Sequence, residues 1–513
     1  MNKKIKTSSY ISSSPVFADT ALGPILVWAG DALHVTDLDG KALPGWPQYG
    51  KKYFASSPAL GDIDGDGQPE IVCGNDDHCL YAFRLNGSTV LGFPFETGGD
   101  VYSTAALCDL NGDGKLEIVF GSDDGCVYVL DFSGKSLPGW PKKTGHFVSA
   151  SPCVADIDGD GRLEIVIGSW DQNLYVWRMD GTLLPGWPID LGATIWSSAT
   201  AADLDGDGQM EIVVAADQLY VLRCDGSMQP GFPVRTGSWM HSSPCVADGD
   251  GIPEIAVGAE KFYVFRSNGE LAPGFPADLG GHIWASPLCA DVDGDGDPEW
   301  LVGSWQGSLQ TFKRDGRCLG VLAWHTQAAI YGSAAVYWHA GHLYLACGSW
   351  DTCMYLERVS MPKCPEMPEA CFRSNALRNG NVLLKRHQDP GKIINVQCHP
   401  NQPIAGQMTY VDISVPDPVE VRQGMLIYCV NGREHPSPMV LHQGKLRGMI
   451  HPLGAGVFCS WRAELKFWNG AVACVPDRQI NTFGFYVSTH SGLTAFQATQ
   501  TRDAHPILLG HTG

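Results

Sequence analysis

From residue 10 to about residue 361 the chain repeats one pattern of apolar and polar positions. In one copy, small and apolar residues come first ("SASPCVAD", 149–156), and an acidic loop follows ("DIDGDGRLE", 156–164). Then come a continuous apolar run ("EIVIGS", 164–169), an alternating run ("NLYVWRMD", 173–180) and a turn ("DGTLLPGWP", 180–188) before a short extended piece. A short apolar run bounded by turn residues predicts a strand buried on both faces, and alternation predicts a strand with one buried face. Aligned on the step "SP" or its variants, the copies start at Ser14, Ser57, Thr104, Ser151, Ser198, Ser243, Ser286 and Ser333, with spacings of 43, 47, 47, 47, 45, 43 and 47 residues. Four strands in about 45 residues are the size of one propeller blade, whereas a solenoid of stacked coils uses shorter repeats.

The five full "D-x-[DN]-G-D-G-x-x-E" loops, the "IVxG" that follows most of them, and the "PGWP" or "PGFP" turns resemble the FG-GAP/VCBS-type repeat, the calcium-bearing blade also found in integrin alpha chains. The resemblance covers about two thirds of the chain. It implies an all-β fold, an eight-bladed β-propeller over residues 10–361. Seven blades is the alternative, because the first and eighth copies are degenerate and could share one blade. The eighth copy lacks an evident fourth strand, and "CFRSNALRNG" (371–380) is a candidate to supply it.

The acidic loops have the chemistry of a hard cation site. In one copy Asp156, Asp158, Asp160 and Glu164 can face one ion, and the glycines between them let the backbone turn tightly. Oxygen ligands at this density suit calcium rather than zinc or copper. The equivalent sets are Asp62, Asp64, Asp66 and Glu70; Asp109, Asn111, Asp113 and Glu117; Asp203, Asp205, Asp207 and Glu211; and Asp291, Asp293, Asp295 and Glu299. About five Ca2+ ions are therefore expected, mainly structural, since five similar sites do not resemble one active centre. The copy around Asp248, Asp250 and Glu254 is two residues short.

Charge and cysteine content refine this picture. The net charge is -20, and no basic stripe interrupts it, which excludes a nucleic-acid partner. No apolar run reaches membrane-spanning length. The 17 cysteines fall mostly inside strand-like runs and read as reduced core residues. The basic start has no apolar segment after it, so a cytoplasmic location is expected, with export by an unrecognised route as the alternative.

Propeller geometry puts the acidic loops and "PGWP" turns on one face and the starts of the inner strands on the other. Three residues before the alignment Pro or Ala stand Ser12, Ala55, Tyr102, Ser149, Trp196, His241, Trp284 and Tyr331. One arc is small and the other bulky. Loops joining the same face offer Asp77 and His78, Asp124, Trp170 and Asp171, Trp305, and Trp350 and Asp351. Trp196, Trp284, His241, Tyr331, Trp170, Trp305 and Trp350 are thus the candidate ligand-binding residues, for a glycan, protein or small molecule. A plug of the channel is the structural alternative. The "PGWP" tryptophans (Trp46, Trp140, Trp187) and their Phe replacements (Phe93, Phe232, Phe275) read as packing between blades.

Residues 362–391 read as closure or linker, 392–490 as a small β-sandwich of immunoglobulin or fibronectin type, and 491–513 as a tail without a motif. No hydrolase, nucleotide-binding or zinc-protease signature occurs. Two functions follow: a calcium-stabilised binding scaffold, or an enzyme with its centre on the axial face. In the second case His241, Tyr331 and Tyr102 would move protons. Propeller-type rhamnogalacturonan lyases resemble the architecture, but their catalytic residues find no match here.

Overall fold

The computed structural model describes residues 2–248 and 252–360, and beyond these only strands between residues 369 and 486. The described residues contain strands and turns and no helix, so none is long and apolar enough to cross a membrane. The chain divides into two compact units, 1–382 and 383–513.

The first unit is an eight-bladed β-propeller. The inner strands of blades 1 to 8 are Val16–Thr20, Ala59–Gly61, Ala106–Cys108, Cys153–Ala155, Thr200–Ala202, Cys245–Asp248, Leu288–Ala290 and Ala335–His339. Each belongs to its own antiparallel sheet, so the first and eighth copies do not share a blade, and in blade 8 the short strand Glu369–Ala370 pairs along the other edge of Ala335–His339. Blade 4 shows the grammar in full: Cys153–Ala155, Glu164–Gly168, Asn173–Arg178 and Ile189–Asp190 pair in that order, with Cys153 opposite Val166, Ile165 opposite Trp177 and Asn173 opposite Asp190. In blades 1, 5 and 6 the outer strand shrinks to isolated bridges such as Leu219 with Val234.

The core lies between blades. Each second strand is apolar on both faces because each face meets a neighbouring sheet. One cluster joins Val166, Val176 and Ile195 to Ile212 and Val214 across blades 4 and 5. Burying a Val, Ile or Leu side chain contributes about 1.5–3 kcal/mol, so these interfaces carry most of the stability. The terminal glycine of "IVxG" exists for this contact. A Cβ on Gly168 would stand 2.3 Å from Ile195, and one on Gly348 would stand 2.4 Å from Ile11, across the ring seam. The "PGWP" indoles pack here too: Trp46, Trp140 and Trp187 each donate to a carbonyl of the next blade, those of Leu85, Met179 and Cys224.

The "SP" step forms a second device, around the axis. The amide of Ser57 donates to Thr104 Oγ1, Thr104 to Ser151 Oγ, Ser151 to Ser198 Oγ, and Ser198 to Ser243 Oγ. At the seam the Ser333 amide donates to Ser14 Oγ at 2.9 Å. A buried amide needs an acceptor, and at each of these steps the following blade supplies one.

Closure differs from the sequence expectation. The fourth strand of blade 8 is Asn2–Lys6, paired antiparallel to Cys353–Ser360 from Asn2 opposite Glu357 to Lys6 opposite Cys353. The N-terminal segment therefore occupies the place assigned above to residues 371–380, which lie outside the described residues. The propeller accordingly begins before residue 10, and its seam is filled by Ile11, Phe17, Trp28, Tyr337, Tyr344 and Met354.

The second unit contains two antiparallel sheets. One orders the strands Asn395–His399, Thr409–Ser414, Lys445–Ile450 and Val440–His442. The other is built on Val421–Val430 and Phe458–Phe467. The immunoglobulin-like character and sandwich packing expected there, and the tail, lie outside the described residues.

Candidate functional site

Two sets of side chains stand on opposite faces of the disc. On one face, each acidic loop joins the first strand of its blade to the second. In blade 4 the Gly161 amide donates to Asp156, the Arg162 amide to Asp160, and the Ile157 amide to Glu164 Oε2 at 2.8 Å. The same clasp recurs as Ile63 to Glu70, Leu110 to Glu117, Leu204 to Glu211 and Val292 to Glu299. The closing glutamate thus has one oxygen committed to the backbone and one facing the loop. Burial pushes the carboxyls of Glu70, Glu117, Glu164 and Glu211 up to about 7, and neighbouring aspartates add to it.

Four loops gather carboxylate oxygens within 4.8 Å of one another and could hold a metal ion: Asp62, Asp64 and Asp66; Asp156, Asp158 and Glu164; Asp203, Asp205 and Glu211; and Asp291, Asp293 and Asp295. The donors fit a hard divalent cation. Asp156 Oδ1 and Glu164 Oε1 are buried without a hydrogen-bond partner, a state that an ion in the loop would relieve. The fifth loop differs, because Asn111 Nδ2 donates to Glu117 Oε1 at 2.8 Å. The short copy is partly outside the described residues, and its Glu254 pairs with Arg314 of blade 7 at 2.9 Å.

Sequence reasoning missed a basic residue at the end of the third strand. Lys313 Nζ lies 2.9, 2.6 and 2.6 Å from Asp293, Asp295 and Glu299. Arg84 reaches Asp64 at 2.9 Å and Asp66 at 3.0 Å. Arg178 and Arg223 each reach a single carboxylate, Asp158 at 3.1 Å and Asp205 at 3.6 Å.

On the opposite face the rings form a chain of contacts around the axial mouth. Starting in blade 2, Tyr53 meets Tyr10 with ring centroids 4.7 Å apart, and Tyr10 meets Trp350 at 5.5 Å. Trp350 touches Tyr331 at 5.8 Å and Trp305 at 5.4 Å, and both touch Trp284. His241 stacks on Trp284 at 4.2 Å and meets Trp196 at 5.6 Å. Trp196 lies 4.1 Å from Trp170, which meets His146 and Phe147. All seven candidate ligand-binding residues fall in this chain. Trp196, Trp305 and Trp350 keep 38%, 36% and 37% of their surface exposed, so water reaches these rings.

The candidate proton-transfer residues are not gathered. His241 and Tyr331 each touch Trp284, whereas Tyr102 stands among the charges of Asp76, Asp100 and Asp123. Burial, with the charge of His282, lowers the His241 pKa, and burial raises that of Tyr331.

The loops between second and third strands sort their residues by a rule. The first tip residue of each is pinned by a backbone bond: Asp76 N to Tyr53 O, Asp123 N to Asp100 O, Trp170 N to Phe147 O, Trp305 N to His282 O and Trp350 N to Ala329 O. The next residue is tied down by a tyrosine of the third strand. Tyr81, Tyr128 and Tyr175 donate to Asp77, Asp124 and Asp171 at 2.6, 2.6 and 2.7 Å, and Tyr355 bonds to Asp351 likewise. Asp77, Asp124, Asp171 and Asp351 are therefore loop staples, and the position before them varies between Asp and Trp.

That position makes blades 2 and 3 an acidic sector. Asp100 lies 3.0 Å from His78 Nδ1 and 4.0 Å from Lys52. Asp123 accepts from Ser149 Oγ at 2.7 Å. Asp76 Oδ1 is buried with no hydrogen-bond partner among the described residues. Burial and then the Asp100 charge push the Asp76 carboxyl up to about 6. Tyr102 is pushed up to about 12 by burial and by the charges of Asp76, Asp100 and Asp123.

A repeated acidic loop on a radial four-stranded sheet defines a class, and one family model matches it. Residues 62–120, 109–167 and 156–214 each match the family model of the FG-GAP-like repeat, so these blades are FG-GAP-like repeats. Among solved structures the chain is similar to BBS1N, crystallised in complex with ARL6DN and soaked with lead, at 12% identity and TM-score 0.44, covering 66% of this chain and 99% of that one. It is also similar to the Dos1 propeller, at 11% identity and TM-score 0.49, covering 69% and 93%. A third is the Neurospora crassa Pan2 WD40 domain, at 11% identity and TM-score 0.40, covering 60% and 91%. No curated protein matches the chain.

Proposed function

We propose that this protein is a binding scaffold, a propeller stiffened by calcium in its acidic loops that holds a ligand at the axial mouth on the other face. The observation that carries this reading is the unbroken run of ring contacts from Tyr53 to Trp170, in which Tyr10, Trp196, Trp305 and Trp350 are exposed to water. Apolar area costs about 25 cal/mol per Å2 to keep wet, and a continuous exposed aromatic surface is a feature of interaction sites. Calcium is the ion favoured by the all-oxygen donor set and by loops that bend around it. The reading includes a reducing, cytoplasmic setting, supported by free cysteines buried within strands, such as Cys108, Cys289 and Cys347.

The test is a screen of immobilised glycans, peptides and small molecules with purified protein, repeated with Trp196→Ala and Trp284→Ala. The expected result is a ligand whose affinity falls at least about ten-fold in both variants, as for a desolvated aromatic anchor. A ligand indifferent to both changes would place binding elsewhere and end this reading.

Proton transfer at the same mouth is the second reading. One observation favours it: Asp76 Oδ1 is buried without a hydrogen-bond partner, where burial and the Asp100 charge push the carboxyl up to about 6. Turnover of a mouth ligand that is lost in Asp76→Asn while binding survives would establish it.

A further inference from the structure

The mouth is electrically lopsided, and this decides what it can hold. Rings run from blade 4 round to Tyr53 of blade 2, and three carboxylates, Asp76, Asp100 and Asp123, stand in blades 2 and 3 with Tyr102 beside them. The two sectors touch at both ends. At one end Tyr53 and Tyr10 stand beside Asp76, whose amide bonds to the Tyr53 carbonyl. At the other, Asp123 bonds Ser149 and feels the charge of His146, which stacks on Trp170. Among the described residues, the nearest lysine is Lys52, 4.0 Å from Asp100 and about half exposed. His78 Nδ1 lies 3.0 Å from Asp100, whereas Asp76 Oδ1 has no hydrogen-bond partner and feels the Lys52 charge only at a distance.

A neutral ligand such as a sugar could stack on the rings, but it would strip water from the three carboxylates and leave their mutual repulsion standing. A cation removes that repulsion, and the flanking ring faces attract it as well. The ring chain passes through Trp350, Trp284, Trp196 and Trp170 at centroid steps of about 4–6 Å, far longer than a single ammonium group needs. An extended peptide advances about 3.3 Å per residue and can follow such a path. Lysine and arginine also have alkyl stems that lie well on apolar surface while the charged head reaches beyond it.

We propose that the axial mouth takes a basic segment of a partner protein, with lysine or arginine heads held by Asp76, Asp100 and Asp123 and the stems laid across the adjoining rings. This rests on the reading of the mouth as the binding site. Charge sets the choice of partner, and the rings supply the contact area.

The test is a library of short peptides displayed against the full chain. Selected peptides are resynthesised with each lysine or arginine replaced by norleucine. Selected peptides should carry a basic residue, and its replacement should cost at least about ten-fold in affinity, as expected for truncating one partner of a desolvated charge pair. Asp76→Asn with Asp123→Asn should cost as much, with the melting curve showing an intact fold. A ligand lost in Trp284→Ala but unchanged in the aspartate pair would leave the mouth as a binding site and overturn its choice of a cation. A library that yields no binding peptide would overturn the peptide, and peptides indifferent both to Trp284→Ala and to the aspartate pair would overturn both readings.

Discussion

The amide of Ser333 donates to the hydroxyl of Ser14 at 2.9 Å, joining residues 319 positions apart. This bond and the strand Asn2–Lys6 are what turn a row of blades into a ring. Ser333 is 2% exposed, so its amide has no water to fall back on. Ser14→Ala should destabilise the propeller by about 1–3 kcal/mol, the cost of an unsatisfied buried donor, and Ser14→Thr should recover most of it. Deleting residues 1–6 should do more, because it bares the edge of Cys353–Ser360 to other chains. Urea melts and light scattering read the two effects separately. An unchanged midpoint in Ser14→Ala would mean that the seam is held by its apolar side chains alone.

What the sequence made legible was whatever the repeat writes several times. The blades, the loops and the glycine of "IVxG" recur in register, and each has a local cause. The closing strand occurs once and pairs with a segment some 350 residues away, so no periodicity announces it. The mouth was half legible. "DD" at 76–77 and 123–124 looks like two equivalent acids, yet only the second is stapled by a tyrosine. The signal was present: Asp77, Asp124, Asp171 and Asp351 each precede a tyrosine by four residues, and the position before them varies. Lys313 and Arg84 went unnoticed because a basic residue at a strand end reads as ordinary surface.

Asp76 should be a liability to the fold. Its carboxyl sits at about 6 in the folded protein against an ordinary value of 3.8, through burial and the Asp100 charge. A raised carboxyl stabilises the fold only while protonated. That contribution is complete below pH 4 and is lost as pH rises through 6. Asp76→Asn should therefore be more stable than the parent at pH 7.5 by ~1–2 kcal/mol, allowing for solvent screening, and should match it below pH 4. Melts across this range check it. A constant difference at every pH would show that packing, not charge, separates the two proteins.

Removing divalent ions should loosen the propeller. The five full loops concentrate twenty carboxylates in a chain of net charge -20. Each loop filled at about 100 times its dissociation constant adds ~2.7 kcal/mol. Chelator-treated protein should melt earlier, and calcium should restore it. Glu164→Gln should shrink that recovery, because it removes a charge from a buried oxygen that has no other partner. Calorimetry with and without chelator measures both.

The loops should not be equal, and Lys313 is the reason. Its ammonium lies within 2.9 Å of Asp293, Asp295 and Glu299, in the position from which an ion would draw the same oxygens. Arg84 does much the same in blade 2, whereas Arg178 and Arg223 touch one carboxylate each and leave Glu164 and Glu211 open. Blades 4 and 5 should therefore fill first in a calcium titration. In blade 7 an ion must displace a lysine that three carboxylates hold protonated, and two like charges a few ångströms apart repel. Lys313→Ala should raise the number of tightly bound ions by one and should lower the melting temperature only in the absence of calcium. Isothermal titration gives the count. If the count stays the same and the ion-free protein melts no earlier, Lys313 is a surface residue and the blade 7 loop needs no cation at all.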